Sequence, residues 1–470
     1  MRAPTSVVEL LRAAGARDDA EDAAGLLGVA AATSSVLAVG VVAASALLPD
    51  LFTQSDHPER DLWAACVAFT LLFVGVRRLL GGELGRTSLV AIVAGLGLLG
   101  IVRMLGGATW DYACYEAAGK AAAAGTDLYG WAHGAPTWGG TRYLYSPLLA
   151  NLFAGLQRIP RGGMVDQPAF LLWTAVVYWA ACAFVPLLMT ALERVYGLAW
   201  PVAPFAAFSL GVFSTPALRT LEYSQPNAIV ADCLLAWLLL SRRSRRGAAG
   251  SAGFLAFATI LKTSPLVFFV LPIVERRWRT LAAGVAGCAL LVVLSGLSIG
   301  ARPWIEFLRV APRVASLGTY RDNSFASFVV ASARLMGFAT GEAGEVGRAA
   351  GLLLGLGVLA FAAARSRLEW PWVARMPEPN GAFERQFPAV VFAMCLLSPL
   401  VWEHHWVWIA LPCVLVTNAA IEEGGRVTPL VGTLLIFFVP TFDAFPFSYH
   451  RLVGALLVLA GAVKPPSSKR

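Results

Sequence analysis

Charge is scarce in this sequence: Asp, Glu, Lys and Arg make up 14% of its 470 residues, whereas hydrophobic residues make up 57%. A soluble domain of that composition would hold more apolar surface than its polar groups could cover. The seven cysteines follow no pairing pattern. Cys66, Cys182, Cys233, Cys288, Cys395 and Cys413 sit inside apolar runs, which leaves Cys114 without an obvious partner and argues against both a disulfide framework and a zinc spacing. No G-x-x-x-x-G-K-[ST] or H-E-x-x-H pattern occurs, which argues against P-loop nucleotide hydrolysis and zinc-protease chemistry. A cleavable signal is missing as well: Arg2, Arg12 and Arg17 are outnumbered by Glu9, Asp18, Asp19, Glu21 and Asp22, so the first apolar run reads as a retained span.

What the sequence has instead is a succession of apolar runs near bilayer length. Runs at 24–48, 62–80 and 88–107 form three opening spans. The first connector carries Asp50, Asp56 and Glu59, and the second carries Arg77, Arg78 and Arg86, so the N-terminus and the second connector are expected in the cytoplasm. That parity puts Trp110 and Asp111 outside. The net charge of +8 is then a mark of topology, with no nucleic-acid partner implied.

Residues 108–142 are expected to form an external segment that begins as a short helix lying on the membrane, with Asp111, Tyr115 and Ala118 on one face. The chain re-enters at Tyr143-Leu-Tyr-Ser-Pro147. Candidate spans at 147–157, 168–192, 200–213 and 226–241 lead to Arg242, Arg243, Arg245 and Arg246, which belong inside. Four crossings from outside would end outside, so one segment fails to cross. The choice falls on 200–213, bounded by Pro201, Pro204 and Pro216, as a re-entrant piece. Residues 250–275 bend at Lys262-Thr-Ser-Pro265, which places Lys262 deep in the membrane.

A span at 281–299 leads to an outer loop, 300–324, whose Arg302, Arg309, Arg313 and Arg321 run against the positive-inside bias and suggest an anionic ligand. An apolar piece at 325–339 and spans at 346–364 and 387–401 then bring Glu403, His404 and His405 to the outer face, and spans at 406–420, 428–440 and 451–463 finish the bundle. The expected fold is an all-α polytopic membrane bundle of roughly 11–14 transmembrane helices, with broken and re-entrant segments and an external juxtamembrane helix. Its organisation is a cytoplasmic segment 1–22, three spans in 23–107, an external catalytic loop 108–142, the remaining bundle 143–464 and a cytoplasmic tail 465–470.

Several residues could carry chemistry. Asp111, just past a span and among Trp110, Tyr112 and Tyr115, is placed to take a proton from a hydroxyl at the membrane surface. The plain alternative is an acid marking the membrane boundary. Asp127 and Glu116 are weaker candidates, and Glu116 can pair with Lys120 one turn later. Two of the five histidines are adjacent at His404 and His405; neighbouring helical positions point about 100° apart, so only one faces a shared site unless the helix breaks. That spacing also disfavours a metal site, and no metal or other cofactor is expected. Lys262 inside an apolar run is a functional candidate, against the alternative of snorkelling to an interface.

Five stretches together resemble glycosyltransferase family 87, the polytopic group typified by polyprenyl-phosphate-mannose mannosyltransferases and also holding arabinofuranosyltransferases: Asp111-Tyr-Ala-Cys-Tyr with Gly125-Thr-Asp-Leu-Tyr129, Tyr143-Leu-Tyr-Ser-Pro147, Tyr223-Ser-Gln-Pro-Asn227, Lys262-Thr-Ser-Pro265, and Ser398-Pro-Leu-Val-Trp-Glu-His-His405. Asn323-Ser324 is a sixth, shorter match. The resemblance implies a GT-C fold with its active site on the extracytoplasmic side of the cell membrane, a polyprenyl-phosphate-linked sugar donor, and a glycolipid or glycan acceptor. It also implies an inverting single displacement in which Asp111 deprotonates the acceptor. His404, His405, Lys262 and Arg321 would meet the donor phosphate. Tyr115, Asp127, Tyr145, Gln225, Asn227, Asn323, Trp402 and Glu403 would meet the acceptor or line the cavity. The chain departs from the family in carrying two extra spans ahead of Asp111, an even number that keeps sidedness. A lipid-linked-sugar flippase or transporter, and a non-catalytic scaffold, are the competing readings.

Overall fold

The computed structural model describes residues 110–130, 142–158, 168–198, 202–211, 214–241, 245–314, 319, 321–366, 382–422 and 427–463. The three expected opening spans, the side chains of the Arg242–Arg246 cluster, the Arg313 side chain and the C-terminal tail lie outside the described residues. Every element named within them is helical.

The chain begins with α1 (Trp110–Ala123) and α2 (Pro147–Leu156), followed by the long α3 (Pro168–Arg194). Three shorter helices follow: α4 (Val202–Gly211), α5 (Thr215–Glu222) and α6 (Asn227–Ser241). At about 1.5 Å per residue, α4 reaches about half of a roughly 30 Å hydrocarbon core and α5 less than half. Next, α7 (Arg245–Leu261) stops at Lys262, and the chain resumes as a 3-10 helix (Ser264–Phe269) and α8 (Val270–Val274). Pro265 is the reason: it cannot extend the hydrogen-bonding ladder of α7, but it fits the first turn of a new helix.

The second half holds α9 (Trp278–Ile299), α10 (Arg302–Val310), α11 (Phe325–Leu335), α12 (Thr340–Ser366) and α13 (Ala382–Leu396). A 3-10 helix (Glu403–Ile409) runs into α14 (Ala410–Glu422), and α15 (Thr428–Phe437) and α16 (His450–Ala462) close the bundle. Among the described residues, Trp278–Ile299, Gly341–Ala364 and Glu403–Glu422 are long and apolar enough to cross a bilayer.

Burial separates these spans by position. Only 11% of the apolar window of Trp278–Ile299 is buried, against 89% for Glu403–Glu422, so the first turns apolar side chains such as Leu297 outward and the second lies at the bundle centre. Outward-facing leucines on an apolar helix are what lipid contact requires, and the chain is an all-α membrane protein. Glycines set the tightest contacts: a Cβ on Gly432 of α15 would lie 2.5 Å from the carbonyl oxygen of Gly454 in α16, so the two backbones meet with nothing between them.

The expected arginine-rich outer loop is corrected. Residues 302–310 form an amphipathic helix that buries Trp304, Phe307 and Val310, and its Arg302 and Arg309 are exposed, with Arg309 paired to Glu306 at 3.2 Å. The spacing of three between buried residues overrode the loop reading.

Candidate active site

The first turn of α1 carries Asp111. Gln225 Nε2 donates to Asp111 Oδ2 at 2.7 Å, Tyr145 OH donates to Gln225 Oε1 at 2.7 Å, and Tyr115 OH donates to Tyr145 OH at 2.9 Å. Every donor in this chain points toward the carboxylate. The alignment depends on a close approach of α1 to α2, where a Cβ on Gly119 would fall 2.7 Å from the Phe153 carbonyl carbon. Tyr115, one turn earlier, is thereby fully buried against Phe153 and Trp173.

Gln225 is aimed by an unusual turn between α5 and α6. Ser224 has φ of +51°, the left-handed region that costs a non-glycine residue on the order of 1–3 kcal/mol and that clusters at functional sites. The turn is held by Gln225 N–H to the Thr220 carbonyl at 2.9 Å and by Trp173 Nε1–H to the Ser224 carbonyl at 2.9 Å. Burial pushes the Asp111 carboxyl up to about 6, against the Gln225 hydrogen bond and the positive field of Arg321, which pull it down.

Lys262 stands opposite, at the break after α7. Its Nζ lies 2.6 Å from His405 Nε2, 5.1 Å from the centre of the Tyr145 ring and 5.5 Å from that of Trp408. Tyr145 therefore joins two groups, with its hydroxyl in the Asp111 chain and its ring face on Lys262. Ser146 Oγ donates to the Ile260 carbonyl, which ties this segment to the end of α7. His405 stacks on Trp408 with ring centres 4.9 Å apart, and its Nδ1 accepts the Trp402 backbone N–H at 3.0 Å.

The helix breaks before the two histidines, and they part company. His405 meets Lys262, while the His404 ring rests on Tyr223 at 5.9 Å and its Nδ1 is buried with no hydrogen-bond partner among the described residues. Arg321 donates to Tyr223 OH at 3.1 Å. Asn227 is fully buried; its carbonyl accepts from Trp408 Nε1 at 3.1 Å, and neither side-chain amide atom has a hydrogen-bond partner among the described residues. Asn323 N–H donates to the Val401 carbonyl at 2.9 Å, and Trp402 forms a β-bridge with Asp322.

Two candidates serve other ends. Glu403 accepts from Thr441 and faces Arg219 Nε at 3.3 Å and Arg451 at 4.0 Å; Arg219 also pairs with Glu222. This acid is a buried strut in an ion network. Asp127 clasps a turn, its Oδ1 accepting Tyr129 N–H at 2.9 Å, while Tyr129 OH donates to the Tyr145 carbonyl at 2.7 Å. Glu116 pairs with Lys120 at 2.9 Å, as their spacing predicts.

Sequence reasoning missed Asp322 and Arg451. Asp322 Oδ1 accepts from Ser324 N–H at 3.1 Å and Val401 N–H at 2.9 Å, clipping the segment before α11 to the one before the histidines. A lone acid beside Asn323-Ser324 was the available signal. Gly296-Leu-Ser-Ile-Gly300 has the spacing of a nucleophile elbow, but it ends helix α9 with no strand leading in, and Ser298 donates to Asn151 at 2.8 Å.

The model for glycosyltransferase family 87 matches residues 143–399, more than half of the chain. Tyr145, Gln225, Asn227, Lys262, Arg321 and Asn323 lie within that match, and Asp111 and the 402–405 run lie beyond its two ends. The chain is 25% identical over 274 residues to a Mycolicibacterium smegmatis protein named polyprenol-phosphate-mannose-dependent alpha-(1-2)-phosphatidylinositol pentamannoside mannosyltransferase. The alignment covers 57% of this chain and 59% of that relative, under two thirds of the relative's own length. No solved structure matches. On the match through the centre of its helical bundle, the chain belongs to glycosyltransferase family 87.

Proposed function

We propose that this chain transfers a hexosyl residue, mannosyl by the relative's name, from a polyprenyl-phosphate-linked donor to a hydroxyl of a glycolipid or glycan acceptor, with inversion and with Asp111 as the base. The reaction takes place at the extracytoplasmic face of the cell membrane, with both termini in the cytoplasm. The observation that carries the reading is the Asp111–Gln225–Tyr145 chain ending against Lys262: a half-buried acid and a buried amine on either side of one tyrosine.

The chemistry divides along that line. As the acceptor oxygen attacks the anomeric carbon, its proton passes to Asp111, whose carboxyl, raised to about 6, is a stronger base than an ordinary aspartate and still ionised at neutral pH. The bond between the anomeric carbon and the phosphate oxygen breaks, and its electron pair stays on the phosphate. The phosphate gains a second negative charge at that moment. Lys262, Arg321, His404 and His405 are the groups at hand to meet it, and donors already in place at a developing charge are worth several kcal/mol, roughly 10²- to 10³-fold in rate each.

The test is to incubate the purified chain in detergent with radiolabelled polyprenyl-phosphate-mannose and phosphatidylinositol mannoside acceptors. Label is expected in the acceptor, with the anomeric configuration of the new bond opposite to that of the donor. Retention of configuration would remove Asp111 from its role as base in a single displacement. Passage of intact donor across a vesicle membrane without transfer would favour the flippase reading.

A further inference from the structure

We infer that the Lys262–His405 pair is a proton-linked phosphate receptor: Lys262 is a neutral amine while it faces His405 alone and takes a proton from solvent when the anionic donor arrives. The inference rests on the donor reading given above.

The argument is one of hydrogen-bond valence. His405 Nδ1 accepts the Trp402 backbone N–H at 3.0 Å, so Nδ1 carries no proton and His405 cannot be an imidazolium. A neutral imidazole with a bare Nδ1 holds its proton on Nε2. That Nε2–H lies 2.6 Å from Lys262 Nζ, and an ammonium has three donors and no lone pair with which to accept it. Only an amine fits. Placing a positive charge on Lys262 sets two donors against each other and requires either His405 or the ammonium to turn away.

The surroundings suit a group that alternates between the two forms. The faces of Tyr145 and Trp408 stand 5.1 and 5.5 Å from Nζ and would hold an ammonium once formed. Asp111, from α1, is the acid whose field reaches Lys262; His404 is the other titratable neighbour on the 3-10 turn, and Arg219 and Arg321 act on His404 from α5 and from the segment ahead of α11. With cations on one side and one acid on the other, a single anion entering the site tips the balance toward Lys262 ammonium. In the transfer step that ammonium then donates a hydrogen bond to the oxygen that receives the bond's electron pair.

Farnesyl methyl phosphate, a prenyl phosphodiester with one fixed charge that does not titrate near neutral pH, is the probe. Its binding to the full chain in detergent is measured by calorimetry near neutral pH in two buffers of different protonation enthalpy. Wild type is expected to take up close to one proton per phosphodiester bound, with affinity weakening by up to about tenfold for each unit of rising pH. Lys262→Arg, with a guanidinium that stays charged, is expected to bind without uptake, and Asp111→Asn is expected to keep it. Binding by wild type without proton uptake overturns the inference while leaving the donor reading intact, and so does uptake that persists in Lys262→Arg. Absence of binding to wild type overturns the donor reading and, with it, this inference.

Discussion

Asp111 is a half-buried acid and Glu403 a fully buried one, and their surroundings differ as well. Asp111 receives one side-chain hydrogen bond, from Gln225, and its Oδ1 has no partner among the described residues. Glu403 is gripped by Arg219, Arg451 and Thr441, and Arg451 is itself bonded to Thr441 at 2.7 Å and the Val439 carbonyl at 3.0 Å. A buried acid whose lone pairs are all engaged stabilises a fold; one with a free oxygen and a single orienting partner is left able to accept something else. The count of partners tells the two apart.

The sharpest way to break this comparison is Asp111→Asn, which keeps the shape and removes the proposed base. Transfer should fall by roughly 10²- to 10⁴-fold with donor affinity nearly unchanged. Thermal unfolding in detergent should start no lower than in wild type, because the folded state no longer carries a charge that burial disfavours. Retained transfer in this variant, with loss on replacing Asp127 or Glu116, would move the base along the same segment. Glu403→Gln should do the reverse. It strips the shared partner from two buried guanidiniums and should cost about 3–5 kcal/mol of stability, seen as earlier unfolding, with a smaller share recovered when Arg451 is replaced by Met in the same chain.

A third measurement uses pH. With the Asp111 carboxyl raised to about 6, the active form is the ionised one, so turnover should climb about tenfold per unit as pH rises toward 6 and level off above it. In Gln225→Leu the midpoint should move upward, because the lost hydrogen bond favoured the ionised form. A profile flat from pH 5 to 7.5 would deny Asp111 the role of base. The mildest effect is expected at Asp127→Ala, which opens a turn at a cost of roughly 0.5–1.5 kcal/mol and should change turnover only a few-fold.

Local signals were readable in the sequence and distant pairings were not. The break at Lys262 follows from Pro265, and the helix of Asp111, Tyr115 and Ala118 from the scarcity of breakers before Gly125, because both depend on neighbours within a turn or two. Glu403 looked like a lining residue because its partner Arg451 lies beyond another helix and Arg219 almost two hundred positions earlier. The Arg302 and Arg309 side chains were grouped with Arg321 by their proximity in sequence, yet an intervening amphipathic helix turns them outward. The asymmetry between His404 and His405 depends on how the segment after the helix break is held, and the Asp322 clip to Val401 that holds it comes from a distant part of the chain.

Those distances along the chain have a consequence for how the protein comes into being. Asp111 is made 114 positions before Gln225, and Lys262 is made 143 positions before His405. Contacts so far apart cannot form while the intervening helices are still being threaded into the bilayer: the first waits until the chain is near its midpoint, and the second until its last third. A nascent chain halted before Trp402 would display the acid and the lysine with no histidine to meet them and no strut beneath. The candidate site is thus complete only when insertion is nearly finished, and a half-built bundle holds its acid and its lysine without their full set of partners.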